Sequence, residues 1–365
     1  MTKELPTGWI CDYLDNVCNV EYGTRVVRKR DGGTIYPVYG GGGATFFMDT
    51  YNRQNALVVA RFAMSEQCTR LVKGKFFLND SGLTVSPKNK NFLTQSFLDW
   101  QLIALNNKIY SLGKGSAQRN LKVDMFRKLN LNIPSLPEQK QIVEKLDKIF
   151  ADIDKAKANT EKNLENAKEM FRAQLTEVFN LLKTDGAQVE LQNVCAKISV
   201  GGDKPAAFSK EPTSRYKIPV YANGEQNDGL LGFTDVPTIS QPAITVAARG
   251  TIGFACKRMI PYCPIVRLIS LIPDTEKISL DFLFYALKYL IPTGNGTSIP
   301  QLTLPTIRKF RISYPTSLDA QAKVVEKLNH LQNTTRELEK TYTKTLSILE
   351  ELKQSVLQQA FSGKL

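Results

Sequence analysis

The sequence predicts an α+β protein: two mixed α/β globular domains separated by two long helices that form an antiparallel coiled coil, with internal pseudo-two-fold symmetry. Three observations carry that prediction. A chain of 365 residues is longer than one ordinary core usually serves, so two globular units of roughly 100 to 200 residues each are expected. SLPEQKQIVEKLDKIF at Ser135 to Phe150 returns as SLDAQAKVVEKLNHLQ at Ser317 to Gln332, 182 positions later with seven of sixteen residues identical. Each copy opens a long stretch with apolar residues at alternating steps of three and four, the signature of a helical seam.

In chain order, residues 1 to 134 form the first globule. Short Val/Ile/Phe/Tyr runs such as NALVVARF and GKFFLNDSGLTVSP, punctuated by glycine, proline and asparagine, read as strands and loops. FLTQSFLDWQLIALNNKI reads as an interior helix. Residues 135 to 182 form the first long helix, with Pro134 and Pro137 at its start. Its seam runs through Ile142, Leu146, Ile149, Ile153, Ala156, Thr160, Leu164, Ala167, Phe171, Leu175 and Val178. KTDGAQ at Lys183 to Gln188 is a polar connector. Residues 183 to 315 form the second globule, with strand candidates PAITVAARGTIGFACK and IVRLISLIP and the helix candidate SLDFLFYALKYL. Residues 316 to 365 form the second long helix, with Pro315 upstream and Asp319 as its expected cap. Its seam is Val324, Leu328, Leu331, Thr335, Leu338, Tyr342, Thr345, Leu349, Leu352, Val356 and Gln359. A helix of about 40 residues is roughly 60 Å long, too long to hide in a small globule.

The repeat extends into the globules. PVY at Pro37 to Tyr39 recurs at Pro219 to Tyr221, VVAR ending in Arg61 has a counterpart in TVAAR ending in Arg249, and GKGSAQRNL at Gly113 to Leu121 answers GNGTSIPQL at Gly294 to Leu302. The order globule, long helix, globule, long helix is a tandem duplication. Pairing of the two helices would bury both seams and make the rod a ruler between two globules.

Composition narrows the chemistry. The net charge is +13. Glu138 to Phe179 carries nine acidic and eight basic residues and Asp319 to Phe361 six of each, so the excess lies in the globules, where a polyanion should bind. No apolar run reaches the 18 residues a membrane span needs, and MTKELPTGWI lacks a signal-peptide pattern, so a cytoplasmic location is expected. The six cysteines form no CxxC pair and there is one histidine, His330, which disfavours a structural zinc site and points to reduced thiols. HExxH, GxSxG and GxxxxGK[ST] are absent, as are the NPPY or DPPY signatures of an amino-directed DNA methyltransferase. GGGG at Gly40 to Gly43 reads as a tight turn. No catalytic, cofactor or metal site is expected.

The candidate nucleic-acid contacts are Arg25, Arg28, Lys29, Arg30, Arg61, Lys114, Gln118, Arg119 and Asn120 in the first globule, with Arg70, Lys73 and Lys75 as further basic residues. In the second they are Lys217, Asn223, Arg249, Lys257, Arg258, Asn295, Ser298 and Gln301, with Lys204 beside them. Lysine and arginine engage phosphates regardless of sequence, whereas Arg, Asn and Gln also make bidentate contacts to base edges. Each candidate has a plainer role as a solvated surface residue, and Tyr22, Tyr36, Tyr39, Tyr51 and Tyr221 could stack on a ligand or fill a core.

LPTGW at Leu5 to Trp9, PSLPEQKQIVEKLD before the first long helix, RGTIG at Arg249 to Gly253, TSIPQL at Thr297 to Leu302 and the repeated helix opening resemble the DNA-specificity subunit of type I restriction-modification systems. The resemblance covers almost the whole chain. It implies that each globule is a target recognition domain reading one half of an asymmetric, bipartite sequence in double-stranded DNA, with the helical pair setting the gap. It also implies a chain without catalysis of its own, which recruits two methyltransferase (modification) subunits and two restriction/translocase subunits in a prokaryotic cytoplasm. S-adenosylmethionine, ATP and magnesium belong to those partners. The sequence departs from the family where VVARFAMSE replaces an RGTIG-like form and where SLDAQ replaces the proline and glutamate of the helix opening while keeping its glutamine. An orphan or regulatory DNA-binding protein, a coiled-coil protein whose basic globules bind RNA, and an enzyme are the competing classes.

Overall fold

The computed structural model describes residues 5–115, 118–185, 188–291 and 301–365. The chain divides into two compact units, Met1–Thr160 with Lys344–Leu365 and Glu161–Thr343, and both long helices contribute to both units.

In the first unit a six-stranded sheet has the order Cys18–Tyr22, Gly82–Pro87, Arg53–Ala60, Thr69–Leu78, Tyr36–Gly40, Gly43–Met48. Every pairing is antiparallel except Tyr36–Gly40 against Thr69–Leu78, where Val38 faces Phe77. The second unit repeats this plan in two pieces. One sheet runs Cys195–Val200, Ile269–Pro273, Ala243–Val246, Ala255–Arg258; the other runs Leu230–Thr234, Ile218–Tyr221, Cys263–Pro264, with the same parallel step at Val220 and Cys263. The ten-residue strand Thr69–Leu78 thus corresponds to two short strands interrupted around Pro261. Proline cannot donate to a ladder, and its placement here accompanies the break.

Ladder register corrects one sequence equivalence. Val59 faces Leu83, Val246 faces Ile269, and both central strands pair on through matched neighbours, which sets Arg61 level with Ala248 and Arg249 level with Phe62. The backbone agrees: Leu121 N donates to Arg61 O, and Leu302 N donates to Ala248 O. A repeat element not noticed in the sequence also emerges. LDNVC at Leu14–Cys18 and LQNVC at Leu191–Cys195 make the same short turn into the first sheet strand, with Leu14, Val194 and Leu191 buried.

Both expected interior helices form, the second as Leu280–Leu290 and the first broken at Leu105 into Gln95–Ala104 and Asn106–Ser111, and Thr94 and Ser279 cap them by accepting from Phe97 N and Phe282 N. The long helices span Leu136–Asp185 and Leu318–Ala360. The second starts at the position equivalent to the first; its cap is Ser317, whose Oγ accepts from Ala320 N, and Asp319 lies in the first turn instead. All eleven expected seam residues of the first helix are buried or half-buried. In the second, Leu352 and Gln359 are exposed while Lys353, Leu357 and Ala360 turn inward. A 3.6-residue helix drifts from a strict heptad, and here it drifts toward the core built on Phe97 and Phe126. The helices are antiparallel within each unit: Asp154 pairs with Lys353 in the first, and Leu175 and Phe179 share a core with Val325 and Leu328 in the second.

One buried side chain explains why the glutamine survives in both helix openings. Gln139 Oε1 accepts from Thr94 N, and its Nε2 donates to Phe92 O and Pro134 O. Gln321 repeats the set, accepting from Ser279 N and donating to Lys277 O and Pro315 O. Each glutamine, with no exposed surface, fastens the first turn of a long helix to the cap of the interior helix. The first copy's Glu138 receives Trp9 Nε1; the second has Ala320 there.

All six cysteines are free. Burial pushes the Cys18 and Cys195 thiols up to about 12, so they are protonated packing groups. His330 lies exposed on the second long helix. Among the described residues no group of three or more His, Cys, Asp or Glu could hold a metal, and no helix is long and apolar enough to cross a membrane.

Candidate nucleic-acid interface

In the first unit, Arg61 lies just past the central strand Arg53–Ala60, its guanidinium 4.8 Å from the Tyr22 ring centroid and 4.5 Å from that of Phe62. The planar cation rests on two aromatic faces, an arrangement that holds an arginine without neutralising it. The glycine loop is bound to the same place: Leu121 N reaches Arg61 O, Ala63 N reaches Asn120 Oδ1, and Met64 N reaches Arg119 O. Arg61, Arg119 and Asn120 are therefore brought together. Arg119 lies 4.4 Å from the Tyr110 ring centroid and donates to Gly113 O. Asn120 serves the loop through its side-chain oxygen. Gly115 adopts a φ of +121°, and a Cβ there would stand 2.1 Å from Gln118 O, so only glycine lets the loop double back. Lys114 and Gln118 are exposed at its rim.

Arg25, Arg28 and Lys29 are exposed in and before a short helical turn, Arg28–Asp31. Arg30 is engaged by Asp31 at 2.8 Å, and that hydrogen bond, with one from Val27 N, holds the Asp31 carboxyl below the usual carboxylate range. Tyr36 and Tyr51 pack against each other, with Lys75 over Tyr51; Tyr39 meets Phe76. The GGGG run is the hairpin turn between Tyr36–Gly40 and Gly43–Met48, where Gly41 N donates to Ser81 Oγ.

In the second unit, Arg249 is exposed at a turn whose Gly250 and Gly253 have φ of +67° and +85°. It shares a concavity of about 410 Å³ with Lys204, Arg267, Gly201 and Gly202, beside Asp203. Val266 and Arg267 both hold left-handed φ, 52° and 64°, uncommon for any non-glycine residue and strained for a β-branched one. Backbone bonds from Val266 N to Gly202 O and Arg267 N to Gly201 O fix them there. Arg267 escaped sequence analysis because IVRLISLIP reads as one strand; nothing in its composition announces two left-handed residues.

Three candidates in this unit are spoken for. Arg258 is 6% exposed, donates to Thr245 Oγ1 and Asp228 O, and lies 3.6 Å from the Tyr221 ring centroid. It is a core cation and not an exposed contact, because its strand position points inward. Asn223 is used at both ends: Nδ2 donates to Val266 O and Oδ1 accepts from Ala248 N. It joins the strained turn to the strand that precedes Arg249. Lys257 pairs with Asp281 at 2.5 Å. Lys217 is exposed and Gln301 half-buried, while Asn295 and Ser298 lie outside the described residues.

The two basic sites occupy the same place on the duplicated scaffold, where the central strand ends and Leu121 or Leu302 bonds to it. A sequence profile described as "Type I restriction modification DNA specificity domain" matches residues 14–166 and 185–347, one match for each repeat. The chain belongs to this family of type I restriction-modification DNA specificity proteins. It is similar to a type I specificity subunit of Mycoplasma pneumoniae, 26% identical across 87% of this chain and 88% of that protein. It is 25% identical to the StySPI specificity subunit of Salmonella potsdam across 71% of this chain and 62% of that one. A chain solved in work on complex assembly and conformational transition of the type I R-M system shares the fold with a TM-score of 0.79 at 19% identity, covering 99% of this chain and all of that one. The HsdS subunit of Thermoanaerobacter tengcongensis gives 0.57 at 19% identity, covering all of this chain and 99% of that one.

As a specificity subunit, the chain is the non-catalytic component that directs a type I modification and restriction complex to DNA. The basic excess outside the long helices agrees with that role, since phosphate neutralisation supplies most of the affinity for a duplex.

Proposed function

We propose that each unit of this specificity subunit reads one half of an asymmetric, bipartite duplex sequence, with residues 1–134 and 183–315 as the two target recognition domains. The long helices, 135–182 and 316–365 in the same division, set the unspecified gap between the half-sites. The observation that carries this reading is one scaffold bearing two different surfaces. The glutamine clamp, the strand order and the parallel step are duplicated, whereas the surfaces differ: the first unit has arginines laid on aromatic rings, and the second has a strained turn with Arg249, Arg267 and Lys204. A selection for two sites with the same partner and different sequences leaves this pattern.

A matched feature supports two equivalent protein partners. A concave strip on the first long helix includes Arg172, Ala173, Thr176 and Asn180; a deeper one, walled also by Gln101, Leu105 and Asn132, includes Gln354, Ser355 and Gln358 of the second and Ser362 just past its end. These residues are 182 positions apart, the spacing of the two glutamines. In this reading each strip receives one modification subunit, which brings S-adenosylmethionine and methylates adenine in its half-site. Two restriction/translocase subunits, using ATP and magnesium, complete the assembly in a prokaryotic cytoplasm.

Selection of bound duplexes from a random library by the chain assembled with its modification subunit tests the proposal. The expected product is two defined blocks at one fixed separation, and exchange of residues 183–315 for those of a relative should change one block only. A single continuous motif, or enrichment without sequence, would favour an orphan DNA-binding protein.

A further inference from the structure

The duplication supplies an internal control at one place where the two units differ in chemistry. In the first unit, Asp154 and Lys353 form an ion pair at 2.6 Å across the long helices; Ile153, next to Asp154 in sequence, is buried, and Ile103 of the interior helix is half-buried. The equivalent positions in the second unit follow from the spacing of the glutamines on the long helices and of Phe97 and Phe282 on the interior ones. There Asp154 becomes Arg336, Lys353 becomes Phe171, Ile153 becomes Thr335 and Ile103 becomes Lys288. A neutral, largely apolar contact has been replaced by a cationic recess.

The recess has a volume of about 490 Å³, and Lys168, Arg172, Lys288 and Arg336 line it together with Glu225 and Glu339. None of the four cations is within ion-pairing distance of a carboxylate among the described residues, in contrast to the pair in the first unit. Lys288 is half-buried, with its amine 5.4 and 5.0 Å from the ring centroids of Phe171 and Phe284. Thr335, only 4% exposed, also lines the recess, and its Oγ1 is fully buried without a hydrogen-bond partner. A buried hydroxyl left unpaired is costly, and an apolar residue stands at the equivalent place, so the threonine needs a reason. Burial first, and then Arg336, push the Lys288 amine down from its ordinary range, as expected of a cation held ready for a counter-ion.

We propose that this recess is a binding site for a dianionic phosphate group, with a phosphomonoester as its ligand and inorganic phosphate as the minimal form. Four cations against two carboxylates leave two positive charges uncompensated. A phosphomonoester carries about −1.5 to −2 at neutral pH and matches that excess, whereas a carboxylate or a backbone phosphodiester carries one charge. The guanidinium forks of Arg172 and Arg336 and the ammonium groups of Lys168 and Lys288 supply enough donors for several phosphate oxygens, and a χ1 rotation would turn Thr335 Oγ1, enclosed as it stands, toward them as a neutral one. The volume leaves room beyond a bare phosphate for the group it is attached to. The site is independent of the half-site reading above, and it shares only Arg172 with the strip on the first long helix.

Calorimetric titration of the full chain with inorganic phosphate and with adenosine 5′-monophosphate, against chloride at the same ionic strength, tests the proposal. The variants are Lys288→Met, Arg336→Gln and Thr335→Val, with Lys148→Met on the exposed face of the first long helix as the charge control. Saturable one-to-one binding is expected, weakened at least tenfold by the first two variants, several-fold by the third, and unchanged in the control. Thr335→Val nearly preserves volume and restores an apolar side chain, so it tests the site even if a charge variant misfolds. Tighter binding of the nucleotide would identify a phosphomonoester, and equal binding would identify phosphate itself. The proposal is overturned if phosphate acts no differently from chloride, if the Lys288 and Arg336 variants bind as the parent does, or if acetate competes as well as phosphate.

Discussion

Replacing Gln139 by Leu removes three hydrogen bonds from a side chain with no exposed surface, while keeping most of its volume. The groups left behind are backbone ones: the Thr94 N–H and the carbonyls of Phe92 and Pro134. Each buried polar group left unpaired costs about 1–3 kcal/mol. Allowing for partial recovery by relaxation, the loss should be about 3–6 kcal/mol, a large share of the 5–15 kcal/mol typical of a folded domain. Trp fluorescence in a urea titration is a local reporter of this event. Both tryptophans lie in the first unit and bond to the first long helix, Trp9 to Glu138 and Trp100 to Asp147. Gln139→Leu should move the fluorescence midpoint sharply to lower urea. Glu138→Ala, which removes one partly buried bond, should cost about 1 kcal/mol. A Gln139→Leu loss under about 1 kcal/mol, or one no larger than that of Glu138→Ala, would refute the assignment of the repeated glutamine as the clamp of each helix start.

Other consequences can be measured separately. Burial raises the Asp99 carboxyl to about 6, against the lowering effect of its hydrogen bond from Gln95. Because the folded value exceeds the unfolded value of about 3.9, the folded state binds the extra proton, and stability falls as pH rises from about 4 through about 6. Asp99→Asn should therefore stabilise the first unit by about 1–3 kcal/mol at pH 8 and by almost nothing at pH 4, in urea titrations at the two pH values. Arg258→Met should destabilise the second unit by about 2–4 kcal/mol through the loss of buried charged hydrogen bonds. Arg249→Ala should change stability by less than about 0.5 kcal/mol but lower the salt dependence of duplex binding by about one counter-ion. Inserting one heptad in each long helix, after Thr160 and after Thr343, adds about 10.5 Å of helix. It should lengthen the gap in the recognised sequence by about three base pairs at 3.4 Å each, read by methylation mapping.

The long helices, the repeat and the interior helices were legible because they rest on periodic or local signals: heptads, prolines at a helix start, and Thr94 or Ser279 before an apolar run. The surface was less legible. Arg249 and Arg258 lie nine residues apart in one basic stretch, yet a turn exposes the first and a strand face buries the second. Arg61 and Arg249 look equivalent in sequence and differ by one ladder position, which is enough to send a side chain to the other face of a sheet. Arg267 needed backbone geometry that its neighbours do not advertise. Lys288 and Asp99 look like ordinary helix-surface charges until the packing of the long helices is known. The glutamine of the helix opening was visible as a retained letter, but its reason lies in two backbone segments more than forty residues upstream.

The central claim is that this chain chooses the DNA sequence for a type I complex. Genome-wide mapping of adenine methylation in cells carrying its modification subunit, with and without this chain, tests it most directly. The account predicts an asymmetric motif of two defined blocks at fixed separation that is methylated only when the chain is present. With both proteins expressed, the absence of any chain-dependent methylated motif would contradict it.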